Sequence, residues 1–356
     1  MMRTHNVSDA LQALLETLAA QTPAPGMVLA LQHGDSTFSS AWGYADLEND
    51  LPMTAQSVHN IGSISKVITA VAVMQLSEQG ALALDEDIRH YLPWFPDKGY
   101  RITLRQLMTH TSGIRHYLEG EFGEDDVLAR QHFSDYERST RRWRDDPLCF
   151  APGSCWHYSS YGSGLLQGVI EAASGLPFED YLRRHIWQPA GMHATQFDNP
   201  YRIIKRRARG YASAPDGSLI NAPFVDLSNR YASGGMVSSA EDMLRFGHAL
   251  HGATLLKPES LRAMFAPQID DSLPDWDSSE ARSWTPALLW ELYDTPLGLA
   301  PGHQGSVRGT NQCLLIVPGQ LTLYYHANHD EVDATAIMMQ ATALLAQQTS
   351  PAGGSL

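Results

Sequence analysis

The chain has 356 residues, 43% of them hydrophobic, which is ample for one large domain or two intimate ones. Its formal net charge of −14 argues against a nucleic-acid surface and against an anionic membrane as partner. Charged residues make up only 18%, as in a compact enzyme-like body rather than a charged scaffold.

Residues 9–20 repeat apolar positions at helical spacing, with Asp9 as a cap, and Pro23, Pro25 and Gly26 close that helix. Met27 to Gln32 and Thr37 to Gly43 read as two strands around a His-Gly-Asp-Ser turn. An apolar helix over Val67 to Leu76 follows, with Gly80 placed for a left-handed C-cap. From about 81 to 220 the pattern is mainly helical with long irregular stretches. A helix opens at Thr103, and others span Gly162 to Ser174 and Phe178 to Ile186. Glu119 to Arg144 is polar and has the composition of a flap. Lys205 to Arg209 reads as a solvated face. Ser239 to His251 is amphipathic and well capped, and 267–286 reads as a loop. Strands return at Leu314–Val317 and Leu321–His326, and Asp333 to Gln347 forms a closing helix. The expected organisation is an α/β body built from 1–80 and 221–356, with a helical domain, 81–220, inserted into it.

No run of about 18 apolar residues occurs, so no membrane span is expected. The N-terminal Met-Met-Arg-Thr-His-Asn lacks the regions of a secretory signal, which points to the cytoplasm, or to the periplasm if a leader has been removed. Cys149, Cys155 and Cys313 form no C-x-x-C pair. Cys149 and Cys155 are close enough for a small-loop disulfide, but three free thiols is the plainer reading.

The chemistry-bearing feature is Ser63-Ile64-Ser65-Lys66, at the start of the apolar helix. Helical positions i and i+3 share a face, so Lys66 can reach the Ser63 hydroxyl one turn earlier. The helix N-terminus favours negative charge at Ser63, and a lysine beside a serine can activate it as a nucleophile. Alone, the motif is weak and is more often a solvated helix start. Here the lysine falls on a buried helix, where its charge is costly unless partnered. No G-x-S-x-G, H-E-x-x-H or H-x-E…C-x-x-C occurs, and His326, His329 and Asp330 read as a surface loop rather than a metal site. A serine–lysine site also needs a proton shuttle, oxyanion donors and a cleft. Tyr158 is a candidate shuttle, since a phenol near an ammonium can have a depressed pKa and act as a base; alone it is more often a packing tyrosine. Gly302-His303-Gln304-Gly305-Ser306 reads as a turn whose glycines also permit close approach of a ligand.

Together these segments resemble the serine β-lactamase-like family, which includes class C β-lactamases, penicillin-binding proteins, D-amino-acid amidases and peptidases, and family VIII esterases. The resemblance is carried by Gly43–Asp46 with Pro52-Met53-Thr54 and Ile61–Lys66, by Leu107–Ile114, by Pro152-Gly153 through Ser159, by Gly234–Met243, and by His303-Gln304-Gly305. It implies the α/β β-lactamase/transpeptidase-like fold, an antiparallel sheet flanked by helices. It implies an acyl-enzyme on Ser63, with Lys66 accepting or relaying its proton. Tyr158 would be general base and then acid. The amides of Ser63 and Ser306 would form the oxyanion hole, with His303, Gly305 and Ser160 contacting substrate. No metal or organic cofactor is implied; the expected partner is a small ester, amide or β-lactam. Two departures stand out. Ser160 replaces the asparagine of Tyr-x-Asn, and His303, a group that titrates near neutrality, replaces the lysine of K-T-G. Both favour the esterase and D-peptidase branches over a true β-lactamase or DD-carboxypeptidase. A slow-deacylating penicillin-binding sensor and acyl transfer to another acceptor are the alternatives.

Overall fold

In the computed structural model, which describes residues 4–122, 126–270, 272–277, 282–319 and 321–349, the strands are ordered along the chain as follows. They are β1 (Gly26–His33), β2 (Ser36–Asp46), β3 (Leu51–Pro52), β4 (His59–Asn60), β5 (Gln196–Phe197), β6 (Tyr211–Ser213), β7 (Leu219–Asn221), β8 (Met236–Ser238), β9 (Thr285–Pro286), β10 (Glu291–Thr295), β11 (Gly298–Val307), β12 (Thr310–Val317) and β13 (Leu321–Ala327). The helices are α1 (Thr4–Ala19), α2 (Ser65–Glu78), α3 (Leu104–Met108), α4 (Tyr136–Ser139), α5 (Ser160–Gly164), α6 (Leu166–Ser174), α7 (Phe178–Leu182), α8 (Ala240–His251), α9 (Pro258–Phe265) and α10 (Ala334–Thr349).

Both ends of the chain meet in one antiparallel sheet, ordered β3-β2-β1-β13-β12-β11-β10-β9. Its central seam joins β1 to β13, with Val28 opposite His326. Alternation along the strands sorts side chains to two cores. Met27, Leu29 and Leu31 pack with Leu11, Leu15, Ile337 and Met338 of α1 and α10. Val28 and Ala30 face the larger core, which also holds α2, α6 and α8. Gly247 lets α8 lie directly on the sheet, because a Cβ there would collide with Thr322 of β13.

Every residue of α2 from Ser65 to Leu76 is buried, which explains a helix that is apolar all round. Each of its valine, isoleucine and leucine side chains stabilises the fold by about 1.5–3 kcal/mol. The mixed α/β architecture with a large antiparallel sheet matches the sequence expectation.

Several boundaries differ. α1 begins at Thr4, so Asp9 lies inside the helix, since nothing in 4–8 breaks it. Gly302–Ser306 is part of β11, not a turn, because β12 pairs with it along its whole length and β10 joins at Gly302. In the Glu119–Arg144 segment, residues 123–125 lie outside the described residues; the rest forms short turns around α4, tied by Glu121 and Asp126 to Arg142. In the 267–286 loop, residues 271 and 278–281 likewise lie outside. Lys205, Arg206 and Arg207 are exposed, Arg207 paired with Asp198. The three cysteines are free thiols.

Candidate active site

Ser63 lies in a 3-10 turn, Gly62–Ile64, that runs directly into α2. The turn is possible because Gly62 takes a φ of 51°. A Cβ at Gly62 would stand 2.7 Å from the Ser306 amide nitrogen, and one at Gly305 would collide with the Ile61 carbonyl oxygen. Two glycines therefore press β11 against the turn and bring Ser63 and Ser306 to one cavity of about 350 Å³.

Lys66 occupies the first turn of α2 and is fully buried. Its Nζ lies 2.9 Å from Ser63 Oγ, 3.1 Å from Ser160 Oγ and 2.6 Å from the Ser233 carbonyl oxygen. Tyr158 donates its hydroxyl to Ser63 Oγ at 2.8 Å. The three residues singled out by sequence thus converge on one oxygen atom, and Ser160 completes the set around the amine.

Burial pushes the Lys66 pKa well below its ordinary value; Glu291 pulls it back up and Arg230 lowers it further. Burial likewise raises the Tyr158 phenol, and the nearby Glu291 carboxylate raises it more. The expected depression of the tyrosine pKa is therefore reversed: desolvation of the phenolate outweighs the amine 4.8 Å from its ring centre. Lys66 Nζ donates to Ser63 Oγ, Ser160 Oγ and the Ser233 carbonyl oxygen, which satisfies all three N–H groups of an ammonium; the neutral amine would keep the last two bonds and accept from the Ser63 hydroxyl instead. Tyr158, as a phenol, fills a remaining lone pair of Ser63.

The tyrosine loop is held from both sides by histidines. The Ser159 amide donates to His110 Nδ1 at 3.1 Å, and the Ser160 amide donates to His116 Nδ1 at 3.2 Å. The His110 ring also lies 4.5 Å from the Tyr158 ring. Both histidines must be neutral to accept. Burial lowers the pKa of each, that of His116 to about 3.

His303 is buried on β11, its Nδ1 2.5 Å from the Gln304 carbonyl oxygen and 3.6 Å from Glu291. Burial lowers its pKa, offset in part by Glu291. Desolvation of the imidazolium thus moves it below its ordinary value, away from the alkaline side of neutrality. His303 and Ser306 line the cavity, whereas Gly305 forms its backing against Ile61.

Sequence reasoning missed Glu291, Ser233, His110 and His116 as parts of this site. Glu291 carried a legible signal: it is a lone acid in the apolar run Leu288-Leu289-Trp290-Glu291-Leu292. It accepts from the Gln304 amide at 3.1 Å and from the Tyr293 hydroxyl. His326 and His329 are buried rather than on a surface loop; His326 stacks on His59 with ring centres 3.4 Å apart. Among the described residues no group of three or more His, Cys, Asp or Glu is arranged to hold a metal ion. No helix among them is long and apolar enough to cross a membrane.

Comparison with known proteins agrees with this fold. The family model described as Beta-lactamase matches residues 11–348. The human serine beta-lactamase-like protein LACTB, mitochondrial, is 28% identical over 86% of this chain and 71% of its own length. Esterase EstB of Burkholderia gladioli is 31% identical over 66% of this chain and 67% of its own. The D-amino acid amidase of Ochrobactrum anthropi SV3 superposes with a TM-score of 0.81 at 24% identity, over 97% of this chain and all of the amidase. With a family match over nearly its whole length and the same fold, the chain belongs to the beta-lactamase family of serine hydrolases.

Proposed function

We propose that the protein hydrolyses small esters or amides, D-amino-acid amides and peptides included, through an acyl-enzyme on Ser63. The observation that carries this reading is the double contact of Ser63 Oγ, with Lys66 at 2.9 Å and Tyr158 at 2.8 Å. Lys66 accepts the Ser63 proton as the oxygen attacks the substrate carbonyl carbon. The amides of Ser63 and Ser306 stabilise the oxyanion, an interaction worth about 2.7–4 kcal/mol per donor in related sites. Tyr158 gives its proton to the leaving oxygen or nitrogen and recovers one from Lys66. Water then attacks the acyl carbon, and the same groups return Ser63 to its hydroxyl form.

The raised phenol and lowered amine favour Lys66 over Tyr158 as the first base. Two features favour esters and D-amino-acid amides over β-lactams. Ser160 stands where an asparagine would hold a β-lactam amide, and a histidine whose pKa burial pushes down, His303, replaces a permanently charged lysine. The esterase and D-amino acid amidase relatives support the same choice. On this reading residues 81–220 form a helical insertion in an α/β body of 1–80 and 221–356.

The test is intact-mass spectrometry with p-nitrophenyl acetate, a β-lactam and D-alaninamide, with product followed in parallel. Turnover of ester or amide with a transient adduct, absent from Ser63→Ala, is expected. A lasting adduct without turnover would instead mark a penicillin-binding sensor, and labelling that survives Ser63→Ala would refute the nucleophile.

A further inference from the structure

The sheet beneath the Ser63 turn is polar where a core would be apolar. Gly305, Gln312 and His326 are cross-strand neighbours on β11, β12 and β13. Gln312 and His326 are both fully buried, on the face that carries Val28, Leu314 and Tyr324 into the larger core. His326 Nδ1 donates to Gln312 Oε1 at 3.3 Å, since that oxygen can only accept. Two groups are then left over: His326 Nε2 and Gln312 Nε2 are buried with no hydrogen-bond partner among the described residues. Unmade polar groups weaken a core, so stability alone gives no account of this pair.

Both residues face the segment that carries the nucleophile. His326 stacks on His59 of β4, with ring centres 3.4 Å apart. His59 is itself fixed: its Nδ1 donates to the Ser57 carbonyl oxygen at 3.1 Å, and its Nε2 accepts from the Tyr324 hydroxyl at 2.8 Å. Three residues further on, the Gln312 amide sits in the notch left by two missing side chains. A Cβ would stand 3.0 Å from Gln312 Nε2 if added at Gly62, and 2.7 Å from it if added at Gly305. The same Gly62 Cβ would stand 2.7 Å from the Ser306 amide nitrogen. Gln312 is therefore beside both the turn that bears Ser63 and the strand that bears Ser306. These meet backbone to backbone, with the Ile61 carbonyl oxygen against Gly305, so a side chain wedged beside them governs their spacing. With its nitrogen toward the turn, the amide offers no acceptor to compete for the Ser306 N–H.

We propose that Gln312, held by His326, is a positioning residue that sets the separation of Ser63 from the Ser306 amide, and with it the fit of the oxyanion hole. This rests on the acyl-enzyme reading above, but one arm of its test needs no reaction. Gln312→Met keeps the length of the side chain and removes the amide. His326→Phe keeps a ring on His59 and removes the bond to Gln312. In the free protein, amide hydrogen exchange read by mass spectrometry should quicken about 10-fold or more over 59–66 in Gln312→Met, with 26–33 of β1 unchanged. In stopped-flow acylation by p-nitrophenyl acetate, the limiting rate should fall about 10-fold or more at the same half-saturating ester concentration. The reason is that a displaced oxyanion donor is felt in the transition state and not in the bound ester. His326→Phe should show both effects more weakly, and it carries the test if Gln312→Met does not fold. Unchanged exchange over 59–66, faster exchange throughout the chain, or lost affinity in place of lost rate would each overturn the assignment. Wild-type acylation that the variants match removes the positioning role and leaves the hydrolase. Faster exchange over 59–66 in a protein whose wild type is never acylated at Ser63 keeps the wedge and removes the hydrolase.

Discussion

Replacing Tyr158 by phenylalanine separates the two proton-transfer roles at Ser63. The change deletes one hydroxyl, which donates to Ser63 Oγ at 2.8 Å, and leaves the ring between His110 and His116. Stability should move by no more than about 1 kcal/mol, because one hydrogen bond facing a cavity is lost and no packing is. If Lys66 is the base and Tyr158 the acid, the loss in rate depends on the leaving group. A p-nitrophenolate departs without protonation, so acylation by a p-nitrophenyl ester should fall by about 10-fold or less. An ethyl ester or amide of the same acyl group needs a proton and should fall by about 10²–10⁴-fold, the usual scale of general acid catalysis and about 3–5 kcal/mol of barrier. The assay is the pre-steady-state acylation rate across a leaving-group series, with unfolding midpoints as the control. An equal loss on good and poor leaving groups would show that the phenol acts on Ser63 itself, and would refute the assignment of Lys66 as base.

Other perturbations follow from the same geometry. His303→Gln should leave the neutral limb of the kcat/KM pH profile in place, since burial pushes the His303 pKa below its ordinary value; loss of that limb would show that it titrates there. Gly62→Ala should slow acylation at least about 10-fold in a folded protein, because the residue needs φ 51° and its Cβ would press on the Ser306 amide; unchanged burst kinetics would place the oxyanion donors elsewhere. His59, His110, His116 and His326 all have folded pKa values below the ordinary 6.5, those of His59 and His116 about 3, through burial. Below pH 6.5 the unfolded chain binds protons that the folded chain refuses, so stability is complete above that pH and drains toward pH 3. The slope is about 1.4 kcal/mol per pH unit for each such histidine, and urea midpoints that stay level from pH 7 to 5 would contradict it.

What the sequence disclosed and what it concealed divide along physical lines. The α2 helix was legible because its apolar residues run around the whole surface, and its burial is complete. The β1–β2 hairpin and the Ser239 cap of α8 were legible because alternation and capping are local signals. Strand β11 was hidden by Gly298, Pro301, Gly302 and Gly305, residues that weaken strand propensity. At Gly305 the weakness has a use: the Ile61 carbonyl occupies the place of a side chain. The trio Ser63, Lys66 and Tyr158 could be named from motif order, but their proton inventory could not. It depends on how much water reaches Lys66 and Tyr158, which is a property of tertiary packing and not of neighbouring letters.

That dependence also makes the histidines part of one argument with the lysine. A lysine can serve as a base near neutrality only if its site is dry, and a dry site penalises every other charge placed nearby. The tyrosine loop is accordingly held by acceptors that carry no charge, His110 and His116, rather than by carboxylates. A carboxylate at either position would attract the proton that Lys66 must lack at rest, and would raise its pKa toward the ordinary value. Among the described residues the one acid lining the cavity, Glu291, is already engaged by the Gln304 amide and the Tyr293 hydroxyl. Its pull on Lys66 is opposed by Arg230. In Arg230→Gln, the acylation rate with the neutral p-nitrophenyl ester should follow a more alkaline Lys66 pKa, because the opposing charge is permanently gone.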